Sequence, residues 1–200
     1  MKLIGSALSP FVRYTRAVLA ELGIEYDYHE VSSMADPTPE DLAYVTKNNP
    51  AMKIPILEDG GKTVIDSRII ANYLLRKSDK TIAEGFDAAM NDEKEHHLTI
   101  LYAVADAALM RFIIPKTHPE IDLKTGYMAR SLDRIKSGLT YLEGDDTFGK
   151  TFGLPELLSI FLLEWFAARS VYDWSGHEKL RALYNEHKDR HSITYTRPTG

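Results

Sequence analysis

Residues 54–67 have the sequence IPILEDGGKTVIDS, which predicts two short strands and the start of a helix. The apolar runs Ile54–Leu57 and Thr63–Ile65 flank Asp59-Gly60-Gly61, a turn signal of the kind that joins hairpin strands. The pair Asp66-Ser67 follows at once, and both residue types cap helices. The stretch therefore predicts an antiparallel hairpin that leads into a helix.

The residues before this hairpin alternate between strand and helix signals. The predicted elements are a strand at Lys2–Gly5, a helix from Ser9-Pro10 to Leu22 that Gly23 ends, a strand at Ile24–Tyr28, and a short helix from Thr38-Pro39 to about Lys47. With the hairpin and its following helix, the order is β-α-β-α-β-β-α. This order predicts an α/β unit whose first half is parallel and whose end is an antiparallel hairpin.

Strand signals are absent from the remainder of the chain. We predict helices at Met90–Ile114, Lys124–Leu142, Pro155–Val171 and His177–His191. A polar link covers residues 79–87, so we expect a first domain at 1–78 and an all-helical C-terminal domain at 88–200. The expected fold class is thus a two-domain α+β protein.

Composition limits the function classes. The chain is 44% hydrophobic and 26% charged, as globular proteins are, and its net charge of −5 with scattered basic residues argues against a nucleic-acid partner. It contains no cysteine, so disulfides, thiolate metal sites and cysteine redox chemistry are excluded and any reacting thiol must come from a ligand. We see neither a signal peptide nor a membrane-spanning run, and we expect a cytoplasmic protein with no membrane partner.

Ser9 is the first residue that could carry chemistry. It precedes Pro10 at a predicted helix N-terminus, where unpaired N–H groups and the helix dipole favour an anion such as a thiolate. A hydroxyl there can donate a hydrogen bond to a thiolate and lower the pKa of the thiol. An ordinary helix cap is the alternative explanation, and Ser6 is a competing hydroxyl near the same strand end.

Pro55 and the pair Asp66-Ser67 are the other two candidates. A proline within an apolar strand run needs a reason, and a cis Ile54–Pro55 bond would turn the backbone of Ile54 towards an extended ligand. Ser67 at a helix N-terminus can bind a carboxylate while Asp66 accepts from an ammonium, which suits an α-amino acid group. The alternatives are an edge-strand proline and a simple helix cap.

These motifs in this order resemble the glutathione S-transferase family over nearly the whole chain. The matching stretches are Ser9–Arg13, Asn49–Leu57 and Asp66–Ile70, with Ala105–Ala108 and the final run from Leu183 to Pro198 in the second half. The resemblance implies a thioredoxin-like first domain, glutathione as co-substrate, a small hydrophobic electrophile as second substrate, and a homodimer.

The resemblance also implies roles for single residues. The catalytic residue would be Ser9, which would contact the glutathione sulfur, and the glutathione-binding residues would be Phe11 beside the sulfur, Lys53 near a carboxylate, Ile54 through its backbone, a cis Pro55, and Asp66 and Ser67 at the γ-glutamyl end. Tyr102 and Arg111 are candidates for a second-substrate pocket, because the family's corresponding helix lines that pocket. We expect no metal.

Some features depart from the family pattern. Members that act through mixed disulfides carry cysteine where this chain has Ser9, so that chemistry is not expected. The box that begins the core helix of the second domain is Gly153-Leu154-Pro155-Glu156, which still allows Glu156 to reach back to the helix start. Two other functions stay open: a non-catalytic binding or regulatory protein of the stringent-starvation type, and a glutathione-dependent peroxidase or isomerase.

Overall fold

The fold comes from a computed structural model that describes residues 1–78 and 90–198. The chain divides into two compact units: Met1–Ala88 together with Asp189–Gly200, and Ala89–Lys188. The predicted linker at 79–87 lies outside the described residues, so the domain boundary stays a prediction. The division by contacts differs from the sequence-based one at the C-terminus, because residues 189–200 group with the first unit.

The first unit contains a four-stranded mixed sheet in the order β2-β1-β3-β4. Its elements are β1 Lys2–Gly5, α1 Pro10–Glu21, β2 Asp27–Glu30, α2 Pro39–Asn48, β3 Ile56–Asp59, β4 Lys62–Ile65 and α3 Ser67–Lys77. Strand β1 pairs in parallel with β2 and antiparallel with β3, and β3 pairs antiparallel with β4. The predicted thioredoxin-like order is therefore confirmed.

Two strands begin later than the periodicity predicts, and hydrogen bonding explains both shifts. Strand β2 begins at Asp27 and not at Ile24, because the Ile24 N–H donates to Leu19 O (2.9 Å) and closes the end of α1. Gly23 makes that closure possible through its φ of +62°. Strand β3 begins at Ile56 and not at Ile54, because Pro55 has no N–H to give to the ladder.

Helix α1 lies against the sheet at very short range. A Cβ added to Gly5 in β1 would lie 2.5 Å from Val12 Cγ2 of α1, which no real side chain tolerates. Along the same helix Tyr14, Ala17 and Val18 are fully buried. The absence of a side chain at Gly5 thus fixes how closely the start of α1 approaches the sheet.

The final segment of the chain is fastened to α1 by polar contacts. Arg190 Nε and Nη2 donate to the two carboxylate oxygens of Glu21 (2.9 and 2.8 Å), and Ser192 Oγ donates to the same carboxylate (2.6 Å). Arg13 Nε donates to Thr196 O (3.1 Å). These five residues are called the C-terminal clasp below. The helix predicted at 177–191 ends at His187, and Arg190, whose φ of −57° and ψ of 142° are not helical, precedes a last short helix, α8 at His191–Thr194.

The second unit is helical, with α4 Asp92–Thr117, α5 Gly126–Gly144, α6 Leu154–Arg169 and α7 Glu178–His187. Helix α6 is the core helix, since its residues from Leu154 to Leu163 are all buried. Glu156 accepts from the N–H groups of Gly153 (3.0 Å) and Gly149 (3.1 Å), as predicted for the start of this helix, and burial raises the pKa of its carboxyl. The sequence was expected to contain no membrane-spanning run, but helix α4 is long and apolar enough to cross a membrane by length and composition alone, a test that core helices of soluble proteins also pass.

Candidate functional site

Ser9 caps the N-terminus of α1. Its Oγ accepts from the Val12 N–H (3.4 Å), and its own N–H donates to Ser6 O (3.0 Å). Pro10 follows at the first helical position. The cap uses a lone pair of the Ser9 oxygen, so the hydroxyl hydrogen stays available to donate to a ligand. The half-buried position of this hydroxyl allows a ligand to reach it.

Ser6 and Phe11 lie on either side of this cap. Ser6 follows β1 and is only 3% exposed, so its hydroxyl is far less accessible than that of Ser9. Phe11 stands in the first turn of α1 and is half-buried. Accessibility thus favours Ser9 over Ser6 as the ligand-facing hydroxyl, and the contact itself stays a prediction.

A short loop carries Lys53, Ile54 and Pro55. The predicted cis peptide bond between Ile54 and Pro55 is present. Lys53 is exposed, Ile54 is half-buried and Pro55 is buried. Within residues 1–78 and 90–198, neither the N–H nor the C=O of Ile54 is hydrogen bonded. Both groups are therefore available to the backbone of an extended ligand.

Asn49 holds this loop in shape. It is 1% exposed, its Nδ2 donates to Lys53 O (2.7 Å), and its Oδ1 accepts from the Ala51 N–H (2.9 Å). Its backbone carbonyl accepts from Met52, which has a φ of 55°. Asn49 lies in the motif Asn49–Leu57, but the sequence alone assigns it no function, because its burial is seen only in the folded chain.

Asp66 and Ser67 form the start of α3. Asp66 is the N-cap, and its Oδ1 accepts from the N–H groups of Arg68 (2.9 Å) and Ile69 (3.3 Å). Its backbone has φ 71° and ψ 125°, a combination that only glycine adopts without strain. Ser67 is 3% exposed, whereas the Asp66 side chain is exposed. Backbone strain of this kind is common at functional sites, where it holds particular groups in one orientation. Here those groups are the Asp66 carboxylate and the first N–H groups of α3.

The sheet register brings the three motifs to the same end of the sheet. Ile4 of β1 is paired with Ile56 of β3, and Ile56 is paired with Ile65 of β4. The segment to Ser9 leaves β1 just beyond Ile4, Pro55 enters β3 just before Ile56, and Asp66 follows Ile65 directly. Since neighbouring strands are about 4.8 Å apart, these segments lie side by side. The structure thus unites the candidates that the sequence identified separately.

The two second-substrate candidates belong to the helical unit. Arg111 Nη1 donates to Met128 O (2.6 Å) and Leu123 O (3.2 Å), which ties α4 to the start of α5. These bonds give Arg111 a structural function. Tyr102 is half-buried on α4. A contact of either residue with a second substrate stays a prediction.

A cleft of about 660 Å³ in the first unit lies elsewhere. It is lined by the end of α1 and the start of β2, from Leu19 to Asp27, with His191 and Tyr195 of the C-terminal segment. It is thus at the opposite end of α1 from Ser9. In the part of the chain that the structure describes, no cluster of three or more His, Asp or Glu side chains could hold a metal ion.

Comparison with known proteins gives the family. Residues 3–81 match the glutathione S-transferase N-terminal domain family. The chain is 40% identical to glutathione S-transferase 4 of Zea mays over 79 residues, which are 38% of this chain and 34% of that protein. It is 30% identical to probable glutathione S-transferase GSTF2 of Oryza sativa subsp. japonica over 161 residues, 72% of this chain and 73% of that protein.

A solved structure supports the same relationship over both units. The glutathione S-transferase of Methylobacillus flagellatus KT, solved with GSH bound, has a TM-score of 0.83, 25% identity, and 99% of each chain covered. The rice relative and this structure extend the likeness beyond the N-terminal match. The chain belongs to the glutathione S-transferase family.

Proposed function

We propose that this protein binds glutathione in its first unit and activates the thiol for attack on a hydrophobic electrophile. The observation that carries the proposal is the register of β1, β3 and β4, which brings Ser9, Ile54 and the pair Asp66-Ser67 to one end of the sheet. The bound GSH in the Methylobacillus relative supports the identity of the ligand.

The three motifs match the γ-glutamyl end, the cysteinyl backbone and the sulfur of glutathione. The γ-glutamyl end carries an ammonium and a carboxylate, which suit the exposed Asp66 carboxylate and the N-terminus of α3 at Ser67. The cysteinyl part is an extended peptide, which suits the N–H and C=O of Ile54. The exposed ammonium of Lys53 suits a glutathione carboxylate, and Phe11 borders the sulfur.

The chemistry requires only a thiolate held in position. The Ser9 hydroxyl donates to the sulfur, and the N-terminal dipole of α1 stabilises the same negative charge, so the pKa of the bound thiol falls below its ordinary value of about 8.5. The thiolate then forms a bond to the electrophilic carbon, and the leaving group departs with its electron pair. Catalysis consists of pKa lowering and positioning, with no covalent enzyme intermediate.

Two measurements test the proposal. Calorimetry should show glutathione binding to the wild type, about tenfold or more weaker binding to Ser67→Ala, and unchanged binding to Ser78→Ala at the other end of α3. Conjugation with 1-chloro-2,4-dinitrobenzene should fall roughly 10- to 1000-fold in Ser9→Ala, and the pH at which activity rises should increase. Ser6→Ala is the matched control and should retain activity.

The outcomes separate the alternatives. No measurable glutathione binding would contradict the proposal outright. Binding without turnover on aryl halides, cumene hydroperoxide or isomerisation substrates would favour a binding or regulatory protein, and turnover on peroxide alone would favour a peroxidase. Full activity in Ser9→Ala would mean that Ser6 or backbone N–H groups, and not Ser9, stabilise the glutathione thiolate.

We further propose a homodimer in the cytoplasm, as the family membership suggests. Light scattering coupled to size exclusion tests the first proposal through a mass of twice the 22.6 kDa chain. Fractionation of the source cells tests the second.

A further inference from the structure

The carbonyl oxygen of Gly5, at the end of β1, accepts two hydrogen bonds. The Val31 N–H donates one (3.1 Å), which continues the pairing of β1 with the chain beyond β2, and the Tyr28 hydroxyl donates the other (2.8 Å). The backbone bond satisfies the carbonyl as a member of the sheet, so the side-chain bond uses its second lone pair. Together the two bonds fix the orientation of the peptide group from which the chain continues towards Ser9.

The Tyr28 ring is held in turn by Arg16 of α1. The Arg16 guanidinium lies over this ring, with Cζ 4.7 Å from the ring centroid, and over the Tyr195 ring at 5.3 Å. Arg16 Nε also donates to the Tyr26 hydroxyl (3.1 Å). Tyr28 therefore contacts α1 through its ring and β1 through its hydroxyl.

The position of Gly5 affects the Ser9 hydroxyl through a short path. A Cβ on Gly5 would lie 2.5 Å from Val12 Cγ2, so the Val12 side chain fills the space beside the Gly5 backbone. The Val12 N–H donates to Ser9 Oγ (3.4 Å), and the Ser9 N–H donates to Ser6 O (3.0 Å). A displacement of Gly5 therefore reaches the cap of α1 by two routes, along the backbone through Ser6 and across the sheet–helix contact through Val12.

The Tyr28 hydroxyl stays a donor at the pH at which a thiolate forms. Burial, and after it the Glu30 carboxylate, raises the pKa of the Tyr28 phenol. A free thiol ionises at about pH 8.5, which is already below the ordinary phenol pKa of about 10. The bond to the Gly5 carbonyl is therefore present over the whole pH range in which the thiol would be activated.

We infer that Tyr28 is a positioning residue for thiol activation: its hydroxyl holds the Gly5 carbonyl, and this holds the Ser9 hydroxyl where it donates to the glutathione sulfur. The inference rests on the proposed function, because it concerns the same reaction. The groups that we propose bind the peptide part of glutathione lie before β3 and at the start of α3. Loss of the Tyr28 hydroxyl therefore changes the ionisation of the bound thiol and not the affinity for protonated glutathione.

Tyr28→Phe removes this hydroxyl and keeps the ring beside Arg16. The pKa of the bound glutathione thiol, followed by the ultraviolet absorbance of the thiolate, should rise by about 0.5–1. The pH midpoint of kcat/KM for 1-chloro-2,4-dinitrobenzene at saturating glutathione should rise by the same amount. At a pH low enough for the bound thiol to be protonated, the Kd for glutathione from calorimetry should stay within about twofold of the wild type.

Tyr26→Phe is the matched control. Tyr26 is also half-buried and also contacts Arg16, but its hydroxyl is bonded to the guanidinium and not to β1. This variant should keep the thiol pKa within about 0.2 of the wild type. Arg16→Lys keeps the positive charge but loses the planar group over the Tyr28 ring, so the thiol pKa should rise. Circular dichroism checks folding, and Arg16→Lys decides the question if Tyr28→Phe does not fold.

The Ser9→Ala background tests whether Tyr28 acts through Ser9. Adding Tyr28→Phe to Ser9→Ala should raise the thiol pKa by less than about half of the increase that Tyr28→Phe causes alone, because the hydroxyl that Tyr28 positions is no longer present.

The outcomes separate this inference from the proposed function. An unchanged thiol pKa in a folded Tyr28→Phe protein that binds glutathione would overturn the inference alone. Equal increases in Tyr28→Phe and Tyr26→Phe, or a full increase in the Ser9→Ala background, would also overturn it. A wild type that does not bind glutathione, or does not lower the thiol pKa, would overturn the proposed function and the inference with it. A higher thiol pKa in Tyr28→Phe and Arg16→Lys but not in Tyr26→Phe, with unchanged affinity for protonated glutathione, supports the inference.

Discussion

The side-chain amide of Asn49 donates a 2.7 Å hydrogen bond to the carbonyl oxygen of Lys53 and closes the loop before Pro55. The other end of the same amide accepts from the Ala51 N–H, so one buried side chain fixes two backbone groups. Ile54 directly follows Lys53, the residue that this bond holds. We propose that the backbone of Ile54 binds the cysteinyl part of glutathione.

We expect Asn49→Ala to lower the free energy of unfolding by about 1–3 kcal/mol, because buried backbone groups lose their partners. Glutathione binding should weaken as well, since Ile54 is less well positioned. Asn49→Asp keeps the acceptor for Ala51 but places a buried carboxylate oxygen against the Lys53 carbonyl oxygen, so at pH 7 a loss at least as large as that of Asn49→Ala is expected. Urea unfolding and calorimetry measure the two effects. An Asn49→Ala variant that unfolds at the wild-type urea concentration would show that the loop holds its shape without the amide.

Substitution of Gly5 should destabilise the protein about as much as substitution of Asn49, but for a steric reason. A Cβ at this position would lie 2.5 Å and 2.8 Å from the two methyl carbons of Val12. Gly5→Ala should therefore destabilise the protein by about 1–3 kcal/mol and displace the start of α1, which carries Ser9. Adding Val12→Ala to Gly5→Ala should recover part of the loss, because it removes the colliding methyl groups.

Gly144→Ala is the control for this prediction. It stands at the end of α5 with nothing within 4 Å of an added Cβ, so alanine there should be neutral or slightly stabilising. Thermal unfolding of the two variants side by side gives the comparison. Equal melting temperatures for Gly5→Ala and the wild type would mean that α1 does not need the close approach.

The order of elements could be predicted because its signals are local. The Asp59-Gly60-Gly61 turn between two apolar runs specifies a hairpin, and Ser9-Pro10 and Thr38-Pro39 specify helix starts, all of which the structure contains. The starts of β2 and β3 were predicted too early, because the periodicity shows neither the Ile24 bond that closes α1 nor the missing N–H of Pro55.

The features that position the site depend on contacts between distant residues. Gly5 looks like any glycine at the end of a strand until Val12 is seen against it. Glu21 and Arg190 are far apart in the chain, and no sequence pattern connects them. The motif Asn49–Leu57 identifies its own loop, but only the folded loop shows which member holds the others.

The C-terminal clasp should contribute measurably to stability. The Glu21 side chain is 11% exposed and accepts three hydrogen bonds from Arg190 and Ser192. Glu21→Gln should lower the free energy of unfolding by about 1.5–3 kcal/mol, because charge-assisted bonds are lost in a largely buried position. A double-mutant cycle with Arg190→Gln should give a coupling energy of about 1 kcal/mol or more.

The exposed ion pair of His118 and Glu120 is the control for the largely buried pair of Glu21 and Arg190. The side chains of His118 and Glu120 are 60% and 71% exposed, so Glu120→Gln should change stability by less than about 0.5 kcal/mol. Additive effects of Glu21→Gln and Arg190→Gln would show that the two residues do not act on each other, whatever each contributes alone.

Asp145 should make the stability of the helical unit depend on pH. Its Oδ1 accepts from the N–H (2.8 Å) and the hydroxyl (2.6 Å) of Thr147, and its Oδ2 lies 3.1 Å from His97 Nε2. The Thr147 donors, and after them the His97 side chain, hold the pKa of the Asp145 carboxyl well below its usual range. Because the folded pKa is depressed, the carboxylate stabilises the fold fully above its unfolded pKa of about 3.9, and this stabilisation is lost as the pH falls towards the folded value.

Asp145→Asn should therefore cost about 2 kcal/mol at pH 7, and its free energy of unfolding should fall less steeply than that of the wild type when the pH is lowered below about 4. Thr147→Val removes the hydroxyl that donates to Asp145, which is the largest cause of its lowered pKa. The free energy of unfolding of this variant should likewise be lower at pH 7 and fall less steeply in acid. Asp133→Asn makes the same charge change at an exposed position of α5 and should follow the wild-type pH curve. If the curves of Asp145→Asn and the wild type stay parallel in acid, then the Asp145 carboxylate has the same pKa folded and unfolded, and the Thr147 bonds do not stabilise its charge.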